Sequence, residues 1–323
     1  MMNYQEMKKR VDQLCELIEV RSLELYKKST LLHKVADRIK ELLKHRYARL
    51  MRLHSPTGFL LLFIPVFWAV ILVSKGFFSG LYYTFLALLG ALIMRSAGCV
   101  INDIVDLKYD PDVERTSSRP LASGEVTLKE AYYIIAGLLS LALLLLITLQ
   151  EYSIGYITLV LASIITYPFL KRYTNYAQVF LGLIFNSGVM IMWFAISPNY
   201  SFIGFLLYIA SAIWTIAYDT VYAYQDLKDD TKLGLKSMAI KLGEKSNHLI
   251  WKMYQTSMLL ISIVGLAKYL NIFFFIGMAL LAYQLYPHII SLDLKSRESC
   301  NKFFNMNVKY GFLISIIFLV GMI

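Results

Sequence analysis

The chain has 323 residues, 58% of them hydrophobic and only 17% charged, and its net charge is +10. Soluble globular chains are nearer half apolar and a quarter charged, so this composition excludes an ordinary soluble domain. Three widely spaced cysteines (Cys15, Cys99, Cys300) and five scattered histidines exclude a disulfide framework and a thiol or imidazole metal site.

Residues 1–53 form the least apolar part of the chain. VDQLCELIEV and VADRIKELLKHRYARLMRL repeat apolar residues every three or four positions, which predicts amphipathic helices in a cytoplasmic, membrane-associated extension. The acids Glu6, Asp12, Glu16, Glu19 and Glu24 argue against a transit peptide, and no short apolar core marks a signal peptide.

Residues 54–323 read as a transmembrane domain. Nine apolar segments follow one another, near 58–74, 77–101, 131–149, 152–170, 177–197, 202–224, 249–267, 270–291 and 308–323. Most approach the ~20 residues that span a bilayer core. The loops alternate in positive charge. Those holding Arg115 and Arg119, Lys171 and Arg172, Lys228 to Lys245, and Lys295 to Lys302 are basic, and the others have one Lys or none. The positive-inside rule places the basic loops in the cytoplasm and the C-terminus outside.

Two acidic phrases end the second and sixth apolar runs. In NDIVDLKYD, Asn102, Asp106 and Asp110 recur at i, i+4 and i+8, predicting one face of a helix. In AYDTVYAYQDLKDD, Asp219, Tyr222, Asp226 and Asp230 form a similar stripe. Like charges at such spacing repel, so two stripes brought face to face need a cation. Donors that are all oxygen suit Mg²⁺, which keeps few protein carboxylates and takes its other ligands from water and phosphate. Arg115, Arg119, Lys171, Arg172 and Lys236 lie in the same loops and can receive phosphate oxygens. Tyr167 and Tyr222, near the charged ends, offer aromatic faces to a carbocation.

Wet loop is the bland reading of any one of these acids. The duplication outweighs it. Arg115, Ser118 and Gly124–Glu125 follow the first DLKxD, and Lys236, Ser237 and Gly243–Glu244 follow the second, so units near 95–130 and 215–248 read as a repeat building one site. A cation-coupled transporter would place its carboxylates near mid-membrane rather than at span ends on one side.

RSAGCVINDIVDLKYD, ERTSSRPLASGEV, YPFLKRYTNYAQVFLG and AYDTVYAYQDLKDDTKLGLKSMAI together resemble the UbiA-type superfamily of intramembrane prenyltransferases, from about Arg49 to the end. Within it, the resemblance is to members that prenylate 4-hydroxybenzoate in ubiquinone biosynthesis. It implies an all-α fold of nine helices around a cavity open to lipid, capped by cytoplasmic loops. Its NDxxDxxxD motif falls on Asn102, Asp103, Asp106 and Asp110, and its DxxxD motif on Asp226 and Asp230, as ligands of Mg²⁺ and through it of a polyprenyl diphosphate. Tyr167, Lys171 and Arg172 match its YxxxK element, and Arg52 its residue facing the aromatic carboxylate. Leu53-His54-Ser55-Pro56 departs from the family's acidic or polar, then basic, approach to the proline.

The implied reaction is Mg²⁺-dependent transfer of the polyprenyl group to the ring carbon ortho to the hydroxyl, with naphthoate, homogentisate or haem as other acceptors within the superfamily. Membrane lipid is the implied surrounding, with no nucleic acid and no obligate protein partner. The absence of a transit peptide favours a bacterial inner membrane.

Overall fold

The computed structural model describes residues 37–38, 40–149, 160, 162–164, 166, 170, 173–197, 201–243 and 246–323. Among them every regular element is helical. In chain order these are α1 (Arg46–Leu50), α2 (Thr57–Val73), α3 (Phe77–Asp106), α4 (Leu128–Thr148), α5 (Ala177–Phe185), α6 (Ser187–Ile196), α7 (Phe202–Ala223), α8 (Leu227–Lys232), α9 (Met238–Leu242), α10 (Asn247–Ala267), α11 (Ile272–Ile290) and α12 (Arg297–Gly321). Seven helical stretches are long and apolar enough to cross a membrane, counting α5 with α6 as one and α7 as running on through α8. Helix α2 is as apolar but shorter. This is a multi-span membrane protein.

Several expected boundaries move. Most of the span expected at 152–170 falls outside the described residues, as does all of the extension before residue 37. The span expected at 177–197 is broken at Asn186, whose amide donates to Gly182 O and to Thr215 Oγ1 on α7, both at 2.8 Å. The last helix begins at Arg297, well before the expected 308, because Ser296 caps a polar first turn that a hydropathy count does not see. Neither acidic phrase lies on one continuous helix. Helix α3 stops at Asp106 and Asp110 opens a separate 3₁₀ turn, while a 3₁₀ turn at Tyr224–Asp226 separates α7 from α8. Repulsion along an uninterrupted stripe is thereby avoided.

The helices pack as a ring that runs α2, α12, α11, α10 and α7 and returns through α6 to α2, with α4 lying outside on α3. Trp68, Trp214 and Phe318 meet where α2, α7 and α12 converge. Their polar edges are satisfied, as a lipid-embedded core requires. Trp214 Nε1 and Tyr254 Oη donate to Asn307 Oδ1 at 3.1 and 2.6 Å, and Trp68 Nε1 donates to Ser315 Oγ at 3.0 Å. The segment 107–127 between α3 and α4 ends in a capping box, in which Thr127 and Glu130 each satisfy the other's backbone N–H. That cap also takes the N-terminal side, since Tyr47 donates to Glu130 at 2.6 Å and Arg46 pairs with it at 3.0 Å.

Candidate active site

With 30 residues, α3 is about 45 Å long, against roughly 30 Å of bilayer core. Its C-terminal turns therefore carry Asp103 and Asp106 to one membrane face while Arg95 stays within the span. Asn102 stands two turns after Arg95 on the same side, and Asp106 one turn further.

Asp103 is 2% exposed and receives two guanidinium groups. Arg52 Nη2 donates to both of its oxygens at 2.8 and 3.0 Å, and Arg119 Nη1 lies 3.2 Å away. Arg119 also donates to Asp110 Oδ2 at 2.8 Å, and Thr116 donates to the Asp110 carbonyl at 2.9 Å. Arg52 holds φ +57°, a costly conformation for a residue with a Cβ, which its fork on Asp103 over-determines. Asp103 and Asp110 thus fasten segment 107–127 and the N-terminal approach to the end of α3.

The two acidic phrases meet through Arg115. Its Nε and Nη2 grip Asp226 at 2.8 and 2.5 Å, and its Nη1 donates to Tyr222 Oη at 3.2 Å. Burial of Arg115 opposes its charge, but Tyr222 and Asp226 outweigh that and push its pKa above the ordinary value. Arg297, at the start of α12, ties the same two units. It donates to the Gln225 carbonyl at 3.1 Å, to Glu114 at 3.3 Å, and pairs with Asp229 at 3.6 Å. Tyr222 packs on Phe304 at 4.5 Å, and Phe304 continues through Tyr218 and Trp214 into the core.

Beneath this cluster lies a cavity of about 190 Å³ between α2, α3, α4, α5 and α6. Its lining is apolar apart from Arg95, Asn102 and Ser187. Arg95 Nε is enclosed without a hydrogen-bond partner. Gly58 of α2 makes the space, since a Cβ there would stand 2.5 Å from Arg95 Nε.

The structure therefore groups Asn102, Asp103, Asp106, Asp110, Arg115, Arg119, Arg52, Tyr222, Asp226 and Asp230 at one end of the bundle. Lys236 stands apart and exposed, donating to the Tyr173 carbonyl at 3.3 Å. Tyr167, Lys171 and Arg172 lie outside the described residues. Arg52 is spent on Asp103, whereas Arg95, to which the sequence reading assigned no role, faces the cavity. The signal for it was a single charge closing an otherwise uncharged span, since intramembrane charges are costly and rare without a task. Among the described residues no three acids, cysteines or histidines converge as a ready metal cluster. The oxygen-only donors still fit Mg²⁺, which needs one or two carboxylates if phosphate completes its shell.

The chain is similar to known proteins over most of its length. A "4-hydroxybenzoate polyprenyltransferase, mitochondrial" of Dictyostelium discoideum is 38% identical over 282 residues, covering 85% of this chain and 60% of that protein. A "4-hydroxybenzoate octaprenyltransferase" of Haemophilus ducreyi is 37% identical over 84% of this chain and 98% of its own length. The apo structure of a UbiA homologue from Aeropyrum pernix superposes with TM-score 0.68 at 26% identity, covering 82% of this chain and 98% of that one. The UbiA prenyltransferase family model matches residues 62–316, and the chain belongs to that family.

Proposed function

We propose that this enzyme moves a polyprenyl group from its diphosphate to the carbon ortho to the hydroxyl of 4-hydroxybenzoate, at the cytoplasmic face of a bacterial inner membrane. One observation carries the reading. A single apolar cavity is lined by Asn102 of the first acidic phrase and by an intramembrane guanidinium, Arg95. The first marks a diphosphate end and the second a receiver for an aromatic carboxylate.

Asp106, Asp110, Asp226 and Asp230, with Asn102, would hold Mg²⁺, which when bound neutralises the departing diphosphate. Arg115 and Arg119 are kept close by their carboxylates and are placed to turn to phosphate oxygens as those carboxylates take up the metal. Lys171 and Arg172 are assigned the same task, and Tyr167 a contact beside them. Asp103 is assigned a positioning role, because its oxygens already hold Arg52 and Arg119. Breaking the C–O bond sends its electron pair out with the diphosphate and leaves an allyl cation. Tyr222, beside Arg115 and Asp226, is assigned an aromatic contact to it, and the apolar walls exclude water. Arg95 holds the acceptor carboxylate, so the phenol ring meets the cation. A C–C bond forms, and the ring proton then passes to the released diphosphate.

Mass spectrometry of products from purified enzyme, octaprenyl diphosphate, Mg²⁺ and a panel of acceptors tests this. Prenylated 4-hydroxybenzoate is expected, with little product from 4-hydroxybenzamide, which lacks the carboxylate. Preference for a naphthoate, homogentisate or haem would replace the acceptor assignment.

A further inference from the structure

The fork between Arg115 and Asp226 joins segment 107–127 to the second acidic phrase, and the reaction proposed above draws its two members apart. Arg115 holds both Asp226 oxygens, at 2.8 and 2.5 Å, so a phosphate takes the guanidinium only by breaking that fork. The bond from Arg115 to Tyr222 goes with it. Segment and phrase then need a second tie if both are to reach one diphosphate.

Arg297 supplies a tie that leaves the fork untouched. Its Nε donates to the Gln225 carbonyl at 3.1 Å, its Nη1 donates to Glu114 at 3.3 Å, and its Nη2 pairs with Asp229 at 3.6 Å. Glu114 precedes Arg115 and Gln225 precedes Asp226, so Arg297 grips the neighbour of each member of the fork. A planar guanidinium serves several acceptors in fixed directions, which an ammonium does not. The helix that carries it is itself anchored. Two turns along α12, Phe304 packs on Tyr222 with ring centroids 4.5 Å apart.

Local preference does not explain an arginine at this place. Arg297 is the first residue of α12, where a cation faces the positive end of the helix macrodipole. Its pairing with Glu114 adds little to the fold either, since the two side chains are 44% and 84% exposed. A charge set against local preference, between two halves of a site, points to a task there.

We propose that Arg297 is a positioning residue, which keeps segment 107–127 and the second acidic phrase in register while Arg115 leaves Asp226 for the diphosphate. The proposal rests on the polyprenyl transfer proposed above. Arg297 acts through Glu114, Gln225 and Asp229, and not by touching the donor.

The test is a double-mutant cycle on the full chain in nanodiscs with Mg²⁺. It reads KM for octaprenyl diphosphate and for 4-hydroxybenzoate, and Kd for an unreactive thiolodiphosphate analogue of the donor. Arg297→Ala is expected to raise donor KM and analogue Kd about tenfold, with acceptor KM unchanged, and Arg297→Lys to fall between. Glu114→Ala cuts the same tie from its exposed end and should give a rise of similar size. The double variant should be no worse than Arg297→Ala, because both changes break one tie. Glu114→Ala decides the matter alone if Arg297→Ala does not fold. Native donor KM and analogue Kd in Glu114→Ala overturn the tie. So do effects that multiply in the double variant, which would mean that Arg297 meets the phosphate directly, and so does an equal rise in acceptor KM. Native enzyme that gives no prenylated product overturns the underlying reaction, and the proposal with it.

Discussion

Arg115 and Asp226 stand 111 positions apart in sequence, yet form a two-bond fork of 2.8 and 2.5 Å. The pair joins the loop after the first acidic phrase to the second phrase itself. Both groups are assigned to the reaction, so the pair stores a guanidinium and a carboxylate where the diphosphate will need them.

Removing carboxylates of the two acidic phrases is expected to separate chemistry from folding. Asp226→Ala or Asp106→Ala should lower transfer at least about a hundredfold, roughly 2.7 kcal/mol of transition-state stabilisation, while membrane insertion is unchanged. Arg115→Lys keeps the charge but loses the fork, so it should fall between wild type and Arg115→Ala. A near-native rate from one of these variants in Mg²⁺-containing membranes would show that the carboxylate it lacks does not serve the metal.

Gly58 tests Arg95 without touching it. Gly58→Ala puts a methyl 2.5 Å from Arg95 Nε and should raise KM for the acceptor about tenfold or more, whereas at Gly80 the nearest atom is 3.6 Å away and alanine should be tolerated. Acceptor titrations of both variants check this. Equal KM values would mean that Arg95 does not meet the acceptor.

Asn307 accepts from two enclosed donors, Trp214 and Tyr254. Asn307→Leu preserves volume but strands both, and about 2–4 kcal/mol of destabilisation is expected. Thermal unfolding in detergent measures it, and a melting temperature within a degree or so of wild type would contradict the network's role.

Two arginines near the N-terminal helix should differ sharply. Arg49 pairs with Glu125 with both side chains a third or more exposed, so Arg49→Ala should cost well under about 1 kcal/mol. Arg52→Ala removes one of two partners of the enclosed Asp103 and should cost about 1–3 kcal/mol. Chemical denaturation of the two variants gives the comparison, and equal losses would deny Asp103 its anchoring role.

Much of this protein is legible from local pattern. Uncharged runs near span length declare membrane helices because an apolar bilayer leaves the backbone little alternative. The duplicated DLKxD phrases mark two acidic span ends, which the structure joins through Arg115 and Asp226. Charge and periodicity are properties of neighbours in sequence, so the chain alone determines them.

Tertiary contact decided the rest. Whether Asp103 binds a metal or anchors Arg52 and Arg119 depends on which guanidinium groups reach it, and those come from distant segments. Arg95 lines the cavity because Gly58 on another helix leaves room beside it. The breaks after Asp106 and at Asp226 follow from where the segments must turn to meet each other. Partner choice across space is an energy of the assembled bundle, and no window of sequence contains it.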